Sequence, residues 1–302
     1  MTISKPKNNP KLILGTANYG SKKYGLNKKK FSNSLINKLI NFAIKNKIIF
    51  FDTANSYNSE KKLKKKKIKI FTKLAPIKEN LLIKNKKNIK NLIISSVDKS
   101  LNELGTKKIF CVMLHRVEDI TMFDGYIIKI LKQLKKEKTI NHIGISIDKF
   151  KNLKKIINNK DIKYIQVPIN IYDQRWKILL KKEYRKNMKN KIIIARSIYL
   201  QGLFTKKNWP KRIRKYKNTI LEINNFLIHK LKIKNIDELM FKYVKSLNKV
   251  NFILFGASKI KNIKKNNYYL KNANFLSSEI DFIEKNTKKV NKEFFDIIEW
   301  NK

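Results

Sequence analysis

The segment FDTANSYNSE, residues 51–60, places a carboxylate at the end of an apolar run and a phenol in the polar stretch that follows. Asp52 directly follows the residues IIFF, and Tyr57 and Glu60 come shortly after it. An aspartate at the end of a strand can simply cap the next turn. Alternatively, the carboxylate and the phenol act together on a ligand. The polar residues at the other strand ends distinguish these two interpretations.

The composition indicates a folded chain of a size that suits one barrel or two smaller domains. Its 302 residues are 42% hydrophobic, which is enough to bury a large core. Cys111 is the single cysteine, so no intramolecular disulfide can form and a reducing compartment is expected. No run is long enough to cross a bilayer, and MTISKPKNNPK (1–11) lacks the apolar stretch of a signal peptide. We therefore expect a cytoplasmic protein without a membrane partner.

The formal net charge of +49 is compatible with binding to nucleic acid or to another polyanion. Arginine, however, occurs at only six positions, and the lysines are spread along the whole chain. Proteins that read nucleic acids favour arginine, because its planar guanidinium matches phosphates and guanine edges. The lysines are therefore interpreted as solvated surface, and no specific nucleic acid is expected as a partner. Binding of polyanions through the lysine excess stays open as an alternative function.

Short apolar runs bounded by polar residues predict eight β-strands. They lie at residues 12–16, 48–53, 68–74, 108–115, 142–146, 164–169, 191–198 and 251–257. Amphipathic segments predict helices at residues 34–46, 89–105, 126–138, 151–159, 216–231 and 236–248. Strands that alternate with helices in this number predict an α/β fold, a single (β/α)8 TIM barrel.

A doubly wound sheet is the main alternative fold. That fold usually has a GxGxxG turn after its first strand, whereas this chain has GTANYG (15–20) at that place. No linker-like run separates two halves of the chain, so we expect one domain over residues 1–302. We expect this domain to be a monomer or to form a small homo-oligomer.

In a (β/α)8 barrel the chemistry takes place at the carboxyl ends of the strands. Asp52 ends the second predicted strand, with Tyr57 in the loop after it. Lys73 ends the third strand and His115 ends the fourth. The four side chains are therefore expected to converge on one quadrant of one rim.

These four side chains together suggest a proton donor. The ammonium of Lys73 is expected to lower the pKa of Tyr57 from its ordinary value of about 10, and Asp52 is expected to hold the lysine in place. His115 can orient a substrate oxygen. Such a group protonates a carbonyl oxygen while a hydride reaches the carbon. Since no side chain carries a hydride, a nicotinamide or similar cofactor is required, and no metal is predicted.

The same residues carry a resemblance to the aldo-keto reductases, which are NAD(P)H-dependent enzymes on a (β/α)8 barrel. FDTANSYNSE is similar to the family signature FDTAxxYGxxE, TKL (72–74) to its lysine motif and LHR (114–116) to its histidine motif. The likeness extends from LGTANYG (14–20) to GASKIKNIKKN (256–266). It implies that the catalytic residues are Asp52, Tyr57, Lys73 and His115.

The resemblance also implies where a cofactor binds. IGISI (143–147) resembles a segment that holds the nicotinamide carboxamide, although Ile147 replaces the family's asparagine. Arg196 stands where an aromatic ring often stacks on nicotinamide, and Lys259 can pair with a 2′-phosphate, which favours NADP over NAD. The implied cofactor-binding residues are Gly15, Thr16, Ser146, Gln166, Arg196, Ser197, Gly256, Ala257, Ser258, Lys259, Asn262 and Asn266.

The function implied by the resemblance is the reduction of an aldehyde or ketone, such as a sugar or small-metabolite carbonyl, with Tyr57 as the general acid. Arg116, Tyr19 and Tyr24 are candidate substrate contacts, and Arg116 suits an anionic substrate. Two alternatives stay open. One is a barrel that binds the cofactor as a sensor or regulatory subunit without turnover, and the other is polyanion binding. A further question concerns Asn58, which stands where the family has glycine.

Overall fold

Parallel strands form the centre of the molecule. The computed structural model describes residues 9–20, 26, 30–75, 86–297 and 300. The strands within these residues are β1 Lys11–Gly15, β2 Phe50–Asp52, β3 Lys69–Lys73, β4 Ile109–Leu114, β5 Ile140–Ser146, β6 Ile162–Pro168, β7 Ile192–Arg196 and β8 Val250–Gly256. They pair in chain order and β8 pairs back with β1, which closes a barrel. The predicted (β/α)8 barrel is confirmed, and the doubly wound sheet is excluded because that sheet is open.

Helices surround these strands. Their bounds are α1 Asn33–Lys45, α2 Lys86–Leu104, α3 Tyr126–Lys136, α4 Leu153–Asn158, α5 Arg185–Met188, α6 Lys217–Lys230, α7 Ile236–Ser246, α8 Ile260–Lys271, α9 Ser277–Thr287 and α10 Lys292–Phe295. In α1, Leu39, Ile40 and Ala43 are buried at helical spacing, and Ser32 caps the amino end by accepting the Leu35 amide at 3.2 Å. No helix in the described part of the chain combines the length and the apolar character needed to cross a membrane.

Large side chains fill the barrel interior, so the barrel is a packed core and not a channel. Phe71 makes edge-to-face contacts with Tyr164 and Phe252, at 5.1 and 5.9 Å between ring centres. Cys111 belongs to the same cluster and is fully buried. A side chain at Gly144 would come within 3.1 Å of the Cys111 Sγ, so close packing requires glycine there. A ligand therefore has to bind at a rim.

Some strand bounds differ from the predicted ones. The run 191–198 ends as a strand at Arg196, because Ser197 adopts a left-handed conformation with φ of 55°. The loops after β1 and β2 each form a short 3-10 helix, at Ala17–Tyr19 and Asn55–Tyr57, which the apolar pattern does not predict. These two short helices contact each other.

Candidate active site

A buried ion pair joins the ends of β2 and β3. Asp52 lies opposite Phe71 in the paired strands, and Lys73 follows two residues later on the same side. Lys73 Nζ donates to Asp52 Oδ1 and Oδ2, each at 2.8 Å, and to the Thr53 carbonyl oxygen at 3.0 Å. Both side chains are almost fully buried. Because each charge would otherwise be buried without a counter-ion, the pair holds both side chains in place.

Tyr57 lies next to this ion pair at the end of a 3-10 helix. The Lys73 Nζ is 5.3 Å from the centre of the Tyr57 ring. Asn58 ends the helix in the left-handed region, with φ of 56° and ψ of 32°. Asparagine is tolerated there better than most residues, which answers why the chain can do without glycine at this position. On the other side, a Cβ on Gly20 would lie 1.5 Å from the Tyr57 carbonyl oxygen, so the loop after β1 packs directly on this helix.

The pKa of Tyr57 differs from the expectation. Burial raises the pKa well above its ordinary value, and the negative charge of Asp52 raises it further. The positive charge of Arg196 opposes this rise. The prediction of a lowered pKa is therefore wrong, because burial of the phenol and the negative charge of Asp52 outweigh the positive charge nearby. Tyr57 keeps its proton at neutral pH.

His115 directly follows β4 and is neutral. Burial lowers its pKa to about 4, and the positive charge of Lys73 lowers it in the same direction. Its Nε2 atom is buried and has no hydrogen-bond partner among the residues that the structure describes. A neutral imidazole with one unsatisfied ring nitrogen is therefore available to a ligand.

A cleft of about 1250 Å³ opens at the rim where these residues lie. The predicted residues that line it are Gly15, Asp52, Tyr57, Lys73, His115, Ser146, Gln166, Arg196, Ser197, Gly256, Ala257, Ser258, Lys259, Asn262 and Asn266. Thr16 does not line the cleft. Its side chain is fully buried, and its hydroxyl donates to the Asp52 carbonyl oxygen at 2.9 Å, so it fixes the backbone behind the ion pair.

The candidate substrate contacts lie outside the cleft or outside the described residues. Tyr19 is buried and its hydroxyl donates to the Ala257 carbonyl oxygen at 3.0 Å, which joins the loop after β1 to the end of β8. Arg116 does not line the cleft, and its Nη2 donates to Asp119 Oδ1 at 2.8 Å. Tyr24 lies outside the described residues.

Comparison with known proteins identifies the family. A family model described as "Aldo/keto reductase family" matches residues 11–287.

The chain belongs to the aldo/keto reductase family.

Solved structures agree with this assignment. The aldo-keto reductase AKR11C1 from Bacillus halodurans, in its holo form, superposes with a TM-score of 0.72 at 20% sequence identity, over 94% of this chain and 95% of that chain. Its apo form gives a TM-score of 0.67 at 20% identity, over 88% of this chain and 91% of that chain. At this identity the likeness shows the fold. A search of curated protein sequences gives no significant match.

This aldo/keto reductase is thus an NAD(P)H-dependent oxidoreductase by family. Within its cleft, a hydrogen-bonded chain links the ends of three strands. Ser146 Oγ donates to Gln166 Oε1 at 2.9 Å, and Gln166 Nε2 donates to Asp52 Oδ2 at 2.8 Å. Through Asp52 this chain reaches Lys73. Side chains predicted to hold a cofactor and side chains predicted to act in catalysis therefore form one network.

The sequence-based prediction missed several charged residues that line the reductase cleft, and one of them, Asp148, contacts a predicted site residue. Asp148, in the loop after β5, forms an ion pair with Arg196 at the end of β7, and both line the cleft. Arg196 Nη2 also donates to the Ile147 carbonyl oxygen at 3.1 Å. The sequence does carry a signal for Asp148. It lies two residues after Ser146, which ends a predicted strand, and acidic residues are scarce in this chain.

The lining of the reductase cleft fits a dinucleotide. Besides His115 Nε2, the buried Asn18 Oδ1 and Gln201 Oε1 have no hydrogen-bond partner within the described part of the chain. Leu200, Gln201 and Gly202 are consecutive left-handed residues, a conformation in which backbone N–H groups can surround an anion.

At the other end of the same cleft, the Ser258 and Lys259 amides donate to Asn262 Oδ1 at 3.1 and 3.0 Å, next to the amino end of α8. A helix amino end favours a bound phosphate. A Cβ at Gly256 would make only an ordinary contact there, with Asn18 Nδ2 at 3.8 Å. Polar atoms without partners and a phosphate-compatible turn are thus distributed along one groove.

Proposed function

We propose that this reductase reduces an aldehyde or ketone to an alcohol with NADPH, with Tyr57 as the general acid. The observation that carries the proposal is that a protonated phenol, Tyr57, and a neutral imidazole, His115, line the same cleft as the buried Lys73–Asp52 ion pair. A proton donor must hold its proton at the working pH, as Tyr57 does, and the positive charge of Arg196, which lowers the pKa of Tyr57, favours release of that proton.

The cofactor supplies a hydride when it is bound. In this proposal Ser146 and Gln166 hold the carboxamide, Ser197 and the left-handed residues after it hold the pyrophosphate, and the turn before α8 holds the adenosine end. Lys259 lies on that turn, and an ammonium there favours the 2′-phosphate of NADPH over the free hydroxyl of NADH. Gly15, Gly256 and Ala257 have little or no side chain, so they allow the cofactor to approach the backbone closely along the same wall of the cleft.

The proton and the electron pair go to different atoms of the substrate. The carbonyl carbon would receive the hydride with its two electrons, the π pair of the C=O bond would move onto the oxygen, and that oxygen would take the proton of the Tyr57 hydroxyl. The oxygen lone pair thus ends in an O–H bond, and the phenolate that forms beside the Lys73–Asp52 pair regains a proton from solvent. His115 contacts the same carbonyl oxygen through its ring nitrogen and orients it.

Replacement of Tyr57 by phenylalanine tests the role of the hydroxyl. We expect Tyr57→Phe to lower kcat/KM by at least about 100-fold, because general acid catalysis contributes about 10²–10⁴-fold. The measurement is NADPH oxidation with a panel of aldehydes and ketones. NADPH binding, followed by fluorescence titration, should change little.

A matched control is Tyr268→Phe, since Tyr268 is exposed and lies outside the cleft. Unchanged turnover in Tyr57→Phe would contradict the acid role. Tight NADPH binding by the wild-type protein without turnover of any carbonyl would instead support a sensor barrel. Retention on nucleic acid at about 0.15 M salt, where the Debye length is about 8 Å, would support the polyanion alternative. We propose a small carbonyl compound as the substrate. We also propose that the reductase is cytoplasmic and is a monomer or a small homo-oligomer.

A further inference from the structure

The guanidinium of Arg196 is held rigidly at the wall of the cleft. Its side chain is 16% exposed. Nη2 contacts Asp148 and the Ile147 carbonyl oxygen, and Nη1 donates to Ser197 Oγ at 3.2 Å. Asp148 is more exposed, at 40%, so water screens its charge more effectively than that of Arg196. At Tyr57 the positive charge of Arg196 outweighs the negative charge of Asp148, whereas at His115 Asp148 acts more strongly, so the pair presents its positive side towards Tyr57.

This pair lies beside the reacting groups. Its two charges act on both Tyr57 and His115, which places it within electrostatic range of the proton donor. The ends of β2, β3 and β4 are occupied by Asp52, Lys73 and His115. In the proposed function the nicotinamide ring would be held by Ser146 and Gln166 on β5 and β6, and Arg196 is the charged residue at the end of the neighbouring strand β7.

The two redox states of nicotinamide differ in charge at this place. The reduced ring is neutral, whereas the oxidised ring carries one positive charge. At separations of a few ångströms and an effective dielectric constant of about 20, two unit charges interact strongly enough to change a binding constant by more than 10-fold. Asp148 reduces this repulsion without abolishing it.

We propose that Arg196 and Asp148 set the preference of the cleft for the reduced cofactor, with Arg196 disfavouring NADP⁺ and Asp148 limiting that effect. The inference rests on the proposed function, because it requires the nicotinamide in this cleft. Its consequence is that the oxidised product is released more readily than NADPH, which favours carbonyl reduction over alcohol oxidation. This assigns Asp148 as a positioning residue and Arg196 as a determinant of redox-state specificity.

The experiment compares the Kd of NADPH with that of NADP⁺ by isothermal titration calorimetry in three variants. In Arg196→Gln we expect the ratio of the NADP⁺ Kd to the NADPH Kd to fall by about 10-fold, because the repulsion is removed. In Asp148→Asn we expect the same ratio to rise by about threefold, because the counter-charge is lost. Arg185→Gln removes a guanidinium from the exposed side of α5 and should leave the ratio unchanged.

Opposite shifts in the first two variants support the inference, since a merely structural role would move both Kd values in the same direction. A ratio within twofold of the wild-type value in Asp148→Asn overturns it, and this holds even if Arg196→Gln fails to fold. Failure of the wild-type protein to bind either dinucleotide would overturn the proposed function and the inference with it. Binding of both with an unaltered ratio in the variants would overturn the inference alone.

Discussion

At the scale of single residues, His115 shows how burial sets the charge state on which the cleft depends. Its pKa is lowered to about 4, so the folded protein keeps the ring neutral under conditions where an exposed histidine would be charged. The neighbouring Lys73 contributes to this shift. A neutral ring can donate or accept a hydrogen bond without adding a third positive charge to those of Lys73 and Arg196.

The lowered pKa of His115 predicts a pH dependence of stability. An unfolded histidine takes up a proton below about pH 6.5, whereas the folded one does so only near pH 4. The stability that depends on the neutral ring is therefore fully present above pH 6.5 and is lost as the pH falls towards 4, by about 2–3 kcal/mol. Urea unfolding across this range measures it.

The variant His115→Gln should make the free energy of unfolding less dependent on pH in the same window. His229→Gln is the matched control, because His229 is exposed on α6, and it should retain the wild-type slope. Identical slopes for the wild type and His115→Gln would show that other groups cause the dependence.

The catalytic candidates could be predicted because each stands at the end of an apolar strand. Lys73 is one of many lysines and Tyr57 one of 12 tyrosines, so their identity alone carries little information. The direction of the Tyr57 pKa shift could not be predicted in this way. It depends on the burial of the phenol and on its proximity to the negative charge of Asp52, and neither is visible in the order of residues along the chain.

At the scale of structural elements, the 3-10 helix Asn55–Tyr57 is positioned by the loop after β1, which contacts it through Gly20. A Cβ at Gly20 would lie 1.5 Å from the Tyr57 carbonyl oxygen and 2.7 Å from the carbonyl carbon. These are backbone atoms, so a larger residue cannot be accommodated by a change of rotamer. Glycine is therefore needed at position 20 for the two loops to pack against each other.

We expect Gly20→Ala to move this helix away from Lys73 and His115. The change should destabilise the fold by about 1–3 kcal/mol, as over-packed sites do, and should also lower kcat for carbonyl reduction. The measurements are denaturant unfolding and NADPH-dependent turnover. Gly105→Ala is the control, because Gly105 has φ of +62° and lies at the end of α2, away from the cleft.

In the control, stability should fall while kcat of the folded fraction is retained. Equal kcat in Gly20→Ala and the wild type would contradict the positioning of Tyr57 by this loop.

The strands themselves were predictable, since their apolar runs mark them. The 3-10 helices were not, because they depend on contacts between loops such as that of Gly20 with Tyr57, which are distant along the chain.

At the scale of the whole molecule, a net charge of +49 acts against folding through mutual repulsion of the lysines. Added sodium chloride shortens the Debye length from about 30 Å at 0.01 M to about 8 Å at 0.15 M. We therefore expect Tm to rise by about 2–5 °C over this range. Scanning calorimetry in sodium chloride measures the change, and sulfate should be avoided because it stabilises proteins generally.

A Tm that stays constant or falls over this range would contradict a destabilising repulsion among the lysines. The barrel topology was predictable at this scale because strand-and-helix alternation admits few folds. The topology also brings all strand ends to one rim, which is why Asp52, Tyr57, Lys73 and His115 could be expected to meet. The Arg196–Asp148 pair links β7 to the loop after β5. Such a contact could not be predicted from the sequence, because its prediction requires the path of the loop.

One domain over residues 1–302 stays a prediction.

The position of Cys111 inside the barrel has a practical use. The chain has one thiol, and that thiol is fully buried, with its pKa raised by burial. A maleimide dye requires an exposed thiolate, so the native side chain should remain unlabelled in the folded protein. A cysteine introduced at Lys206, on the wall of the cleft, would then carry the fluorophore alone. The reductase can thus be labelled at one introduced cysteine without removal of its native cysteine. The emission of that fluorophore can then report entry of a dinucleotide into the cleft.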